Sequence, residues 1–300
     1  MKIYFDGVEC SGKLSVQKCV HESRTGGRGD ELSIIFNDNR QQWNEWFGDR
    51  PKKIRIVQNN FDSGSLNIFR FDKSAFAVAV HAFSLPLGYN AVSCKSWEDV
   101  YFFQICEEIA SRHGLTCEFL GVENRKYTYV EQAQQKDFDF LADRARLEGC
   151  SVLVFNGKVV VYSDSAIASL GGAEKTVKIQ NSTPISFSDI FEKIGKLNLV
   201  NSEFSAEATD RTGTAQKTVF VPAKITDQGE ADRWAKNLLS HYNKDAETGC
   251  FTTDLSTDIS AGTLRKIECA IDSGLNCSGV AAIVRHDFGR KLSKVFFRKT

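Results

Sequence analysis

Residues 1–90 alternate apolar and polar side chains in short runs, and turn residues separate the runs. A period of two marks strands with one buried face. "KIYFDGVEC" reads as two short strands around the Asp6-Gly7 turn pair, a hairpin signal. "LSVQKCVH", "ELSIIFND", "KKIRIVQ", "GSLNIFRF" and "SAFAVAVHAF" follow, with few helix signals between them. Six or seven such strands predict an antiparallel barrel or sandwich ending near "SLPLGYN".

The texture changes at Ser96. "SWEDVYFFQICEEIASRHG" predicts a helix with Ser96 as N-cap, Asp99 three positions on, and Gly114 as its stop. Its apolar residues Val100, Phe103, Ile105, Cys106 and Ile109 fall mostly on one face. A second helix is predicted from Gln135 to Glu148, with Phe138, Leu141 and Ala145 spaced for one face and Gly149 closing it. Asp137, Asp139 and Asp143 lie in its first half, and Arg144 and Arg146 in its second, an order that complements the helix dipole. "SVLVFNGKVVVY" is then a hairpin on Asn156-Gly157, apolar on both faces and so expected to be covered on both sides.

"SDSAIASLGGAEK" reads as a linker, and "KTVKIQ" resumes the strand signal. "PISFSDIFEKIGKLNLV" fits either a strand or a strand with a short helix, and "GTAQKTVFVPAKI" a strand. "DQGEADRWAKNLLSHYNKD" predicts a helix that buries Ala231, Trp234, Ala235, Leu238 and Leu239. The end is β again, closing with a hairpin in "SGVAAIVRHDFGRKLSKVFFRK".

Lys+Arg and Asp+Glu balance at 38 each, which removes the global field that would favour generic nucleic-acid binding. No run approaches the ~20 apolar residues of a membrane span. The first ten residues lack the pattern of a signal peptide, so synthesis and initial residence in the cytoplasm are expected.

The nine cysteines form no CxxC pair and no zinc spacing, and read as small buried residues of a reducing compartment. "RTGGRG" lacks the Lys-Ser/Thr of a phosphate loop, and HExxH and GxSxG are absent. His286-Asp287 sits at a predicted strand end without a nucleophile. A Cys–His pair is formally available in Cys106 or Cys117 with His113. Asp137, Asp139 and Glu148 raise the question of acid catalysis, against a structural role at the helix ends. "RGD" at Arg28-Gly29-Asp30 reads as a loop between strands rather than an adhesion motif. Trp43 and Trp46 are expected to plug a barrel or meet a subunit, with ligand stacking as the alternative. No catalytic, cofactor or metal residues are assigned, and no cofactor is expected.

The ordered set of segments resembles the late control protein D family, the hub proteins of contractile phage tails and tailocins, related to the hub part of type VI secretion spikes. The resemblance rests on Val130, Gln132, Asp137, Asp139, Phe140, Leu141, Gly149 and the Asn156-Gly157 turn, with "GDELSIIFND" and "WNEWFGDRPKKIRIV" before them. "EADRWAKNLLSHYNK" and the closing strands continue it, so that it spans nearly the whole chain.

The resemblance implies an α+β, mainly β fold. Two tail-tube-like antiparallel β-barrels (1–90 and 166–300, the second with a helix near 228–243) flank an α/β insertion at 91–165. It further implies a structural, non-enzymatic baseplate hub: a homotrimer joining the six-fold inner tail tube to the three-fold central spike. Other baseplate proteins, the tape measure protein among them, are the remaining expected partners. Assembly is expected in the bacterial host cytoplasm, followed by residence in the baseplate of a phage tail or tailocin. The family's puncturing and lytic parts are expected on another polypeptide, since the closing hairpin runs to Thr300. A module binding peptidoglycan or carbohydrate through residues 96–163 or the tryptophans, and a tail-associated cell-wall hydrolase, are the alternatives.

Overall fold

The structure is a computed structural model and describes residues 1–26, 29–46, 50–163, 166, 175–179, 185–190, 192–270 and 273–299. The chain is mainly β, and its strands curl into an antiparallel sheet with few helices.

The period of two in the first ninety residues becomes β1 (Lys2–Phe5), β2 (Val8–Glu9), β3 (Ser15–Arg24), β4 (Glu31–Asn37), β5 (Lys53–Gln58), β6 (Phe61–Asp62), β7 (Leu66–Lys73) and β8 (Ala77–Phe83). Alternation translates directly into burial: Leu32, Ile34 and Phe36 of β4 face the core, as do Val78, Val80 and Ala82 of β8. Asp6 and Gly7 both take positive φ, as the predicted tight hairpin requires. The strands pair antiparallel in the order β3-β4-β8-β7-β5-β1-β2 around a core that also holds Phe5, Ile54, Ile56 and Leu66. A four-residue helix, α1 (Trp43–Trp46), inserts Trp43 into that core.

A second β unit comprises β14 (Lys175–Ile179), β15 (Ile185–Asp189), β19 (Glu247–Asp254), β20 (Leu264–Cys269), β21 (Cys277–Asp287) and β22 (Leu292–Lys299). It encloses its own core of Phe251, Ile267, Val284, Val295 and Phe297.

The two units share a strand. The first residues of β21, up to Val280, pair with β20, and its last residues, Ile283–Asp287, pair with β3. The register shift between Ala281 and Ile283 lies where the partner changes. A bulge of this kind bends a strand and increases its twist, which lets one strand serve two curled sheets. The hydrogen-bonded path therefore runs unbroken from β15 through β19, β22, β21 and β3 to β2.

Between these units lie β9 (Val92–Tyr101), α2 (Phe102–Arg112), β10 (Thr116–Leu120), β11 (Lys126–Lys136), α3 (Asp137–Leu147), β12 (Cys150–Phe155) and β13 (Lys158–Ser163). Asn156 and Gly157 make the β12–β13 turn with positive φ, as expected. Most residues of both strands are buried or half-buried. Further on come β16 (Ile194–Val200), β17 (Ser205–Thr209), β18 (Ala215–Phe220) and α4 (Gln228–Asn243). All five residues expected on the buried face of α4 are buried.

One expectation needs correction, and one open reading is resolved. The helix predicted to start at Ser96 starts at Phe102, and residues 92–101 form a strand paired with β11. Trp97 and Val100, three apart, are both buried, a spacing that imitates a helix; Asp99, at positive φ between them, interrupts the pleat. The ambiguous segment 184–200 supplies two strands, β15 and β16. β16, β17 and α4 share one core with residues 97–161, where Trp234, Leu238 and Leu197 meet Phe140, Leu141 and Val152. Most of the predicted linker 163–175 lies outside the described residues.

Candidate functional site

The acidic stretch does not converge. Asp137 begins α3 and Glu148 follows its end, about 16 Å away at the helical rise per residue. Paired-acid glycosidases hold their carboxyl groups at roughly 5–9.5 Å. Asp139 is exposed on another side.

Both buried acids are saturated by protein donors. Asp137 accepts from Gln132 Nε2 at 2.8 Å and Arg112 Nη1 at 3.2 Å, and meets His113 Nε2 at 3.0 Å. Next to it, Glu108 binds Trp97 Nε1 and Arg112 Nη2, both at 2.8 Å, and Lys95. Burial alone would raise the Glu108 pKa, but the hydrogen bonds from Lys95, Arg112 and Trp97 outweigh it and hold it at about 2. Glu148 accepts from Trp234 Nε1 at 2.7 Å, Tyr127 Oη at 2.9 Å and Arg233 Nε at 3.1 Å. Burial, then the charge of Glu148, pushes the Tyr127 phenol well up. These networks tie β9, α2, β11, α3 and α4 together.

The nucleophile candidates fare no better. Burial pushes Cys117 up to about 12 and Cys106 well above the ordinary thiol value, so neither supplies thiolate at neutral pH. His113 is engaged by Asp137. Among the described residues no group of three His, Cys, Asp or Glu is placed to hold a metal, and no helix is long and apolar enough to cross a membrane. Trp43 is buried against the rings of Phe5, Phe36 and Phe71, so it plugs the first unit rather than offering a stacking platform. The side chain of Trp46 and all of Arg28 lie outside the described residues, and Asp30 is buried.

His286 sits at the joint between the two β units, directly opposite His21 in the β3–β21 register. Both rings lie edge-on to Phe61. The His286 Nε2 faces the Ile259 carbonyl at 3.1 Å and must carry the proton; Nδ1 then accepts from Ser293 Oγ at 2.8 Å. Burial lowers the His286 pKa and takes that of His21 to about 3, the latter helped by repulsion from His286. The Asp30 carboxyl lies 3.6 Å from His21 Nε2 and is raised by burial to about 7, against a backbone hydrogen bond from Arg24. His21 and Phe61 lie more than two hundred residues from His286 in sequence, so no local motif could have disclosed their meeting.

The surface carries aromatic groups that the sequence reading did not single out. Phe69, 53% exposed, packs on Phe83 at 4.7 Å on the outside of β7 and β8, and Phe83 meets Tyr89 at 5.3 Å. On β22, Phe296 is also exposed. Outward rings on strand surfaces are of the kind that meet other proteins.

Neither a protein-family model nor a curated protein sequence matches the chain. Solved structures do. A tail protein from Neisseria meningitidis MC58 superimposes with a TM-score of 0.76 at 12% identity, covering 99% of this chain and 95% of that one. The 43 kDa tail protein of prophage MuSo2 from Shewanella oneidensis gives 0.70 at 10% identity, over 99% and 95%. The Escherichia coli c3393 protein gives 0.62 at 10% identity, over 100% and 76%; it is described as a type VI secretion component resembling the T4 tail proteins gp27 and gp5. The chain has the fold of these phage tail and type VI secretion proteins, along its whole length.

Proposed function

We propose that the chain is a structural baseplate hub of a contractile tail, of a phage or a tailocin. Three copies form a ring that joins the six-fold inner tail tube to a three-fold central spike. Each copy contributes two curled β units, so three copies present six. The observation that carries the reading is the full-length likeness to tail proteins, combined with two β units welded through β21. A welded pair transmits thrust as one body, which a hub needs at contraction.

The sheet ends support ring closure. Among the described residues, β15 and the β1–β2 hairpin terminate the long sheet. Exposed edges invite pairing, and a closed ring covers them through head-to-tail contacts. In this reading other baseplate proteins, the tape measure protein among them, meet the hub, and assembly takes place in the host cytoplasm. The core shared by residues 97–161 and 194–239 acts as a brace beside the two β units.

The test is co-sedimentation of the chain with assembled tail tubes from its own particle. The hub reading expects end-bound protein at three copies per tube. Binding along the tube wall, or cleavage of peptidoglycan abolished by E148Q or D137N, would contradict it.

A further inference from the structure

Arg144 is the most deeply buried cation of the acidic helix. It is 4% exposed, and the rings of Tyr127, Phe140 and Trp234 lie 5.5–5.9 Å from its guanidinium carbon. Aromatic faces satisfy the flat sides of a guanidinium but leave its in-plane N–H donors unused. Nη1 is buried without a hydrogen-bond acceptor. Nearby carboxylates are committed elsewhere: Glu148 to Tyr127, Arg233 and Trp234, Asp143 to Gln135 and Arg146, and Glu230 to Thr226. They balance the charge of Arg144 at a distance without accepting from it. Burial pulls its pKa down, the mark of a cation short of partners.

Arg144 also lines a cleft of about 470 Å³ between β11, α3 and the end of β18. Its apolar wall includes Leu147, Val219, Pro222 and Ile225, and Phe220, 66% exposed, stands at its mouth. Its charged lining comprises Glu131, Asp143 and Glu203 against Arg144, Arg146 and Lys224, so the formal charges cancel. A dianion such as a phosphate monoester would meet three acids; a single negative charge on an apolar stem fits better. A carboxylate matches the planar fork of Arg with two parallel hydrogen bonds.

We infer that this cleft is a binding site for a peptide segment that presents one carboxylate among apolar side chains, with Arg144 as its anchor. The carboxylate belongs either to a chain terminus or to an acidic side chain.

Calorimetric titration of the full chain tests this with three probes. They are acetyl-Ala-Leu-Phe with a free C-terminus, the same peptide amidated, and amidated acetyl-Leu-Glu-Phe. The site should take the first or the third at least about tenfold more tightly than the neutral amide, and which of them binds identifies the source of the carboxylate. R144M should abolish the preference, with the melting temperature measured alongside to establish that the variant is folded. R144K, which keeps the charge but not the fork, should reduce it about tenfold and serves if R144M does not fold. F220S should weaken all three probes together. Equal binding of acid and amide, no binding at several millimolar (on the order of 4 kcal/mol or less), or an undiminished preference in both Arg144 variants would overturn the inference.

Discussion

At Glu148, donors from three other residues meet one carboxylate whose side chain is 4% exposed. Removing it strands the Trp234 and Tyr127 donors and leaves Arg233 without its main partner. E148A should therefore cost about 3–5 kcal/mol in denaturant unfolding, the range for breaking one side of a buried pair. The joint makes a second prediction through pH. Asp30 is raised from 3.8 to about 7, so its contribution to stability is full at low pH and is lost as pH rises toward 7. His21 is lowered from 6.5 to about 3, so its contribution is full above 6.5 and is lost as pH falls toward 3. Between about pH 4 and 6.5 the native pair holds one proton and the unfolded pair also holds one, so the two slopes cancel. The D30N variant keeps only the His21 slope. Its unfolding free energy, measured by urea titration, should rise with pH across that window, where the wild-type contribution from this pair stays level. Parallel profiles for the two proteins would remove the coupling.

Elements differ in how openly the sequence declares them. β4 and β8 alternate cleanly because one face meets the core and the other does not, and α4 announces its buried face at helical spacing. The Asn156-Gly157 turn is legible because few other residues adopt positive φ at both positions. β9 is hidden by Asp99, whose positive φ puts Trp97 and Val100 on a helical interval. Arg144 reads as a dipole partner at a helix end, and only the tertiary fold stacks Tyr127 and Trp234 against it. The joint is illegible for the same reason, since β3 and β21 meet only in the folded chain. Within the second unit, Gly249 on β19 and Gly279 on β21 flank Phe297 on the strand between them. A Cβ on Gly249 would run into the Phe297 ring, which is buried and has little room to move. G249A should cost about 1–3 kcal/mol by overpacking, measured by thermal or chemical unfolding. An unchanged stability would mean that the Phe297 ring yields to an added methyl group.

At the scale of the molecule, one strand with two partners turns two curled sheets into a single continuous sheet. The brace formed by residues 97–161 and 194–239 adds a third core, and its polar networks lock helix to strand. The likeness to tail proteins extends over 99% of the chain, so the functional reading rests on the whole architecture and not on a motif. Its central claim is that three copies close into a ring. Light scattering behind a sizing column, over a range of protein concentrations, measures this directly. With a chain mass of 33.5 kDa, three copies give a predicted mass of roughly 100 kDa that does not grow further as concentration rises, as a closed cyclic assembly requires. A mass that stays at 33.5 kDa at every concentration, or settles at a dimer, would contradict ring closure by this chain alone.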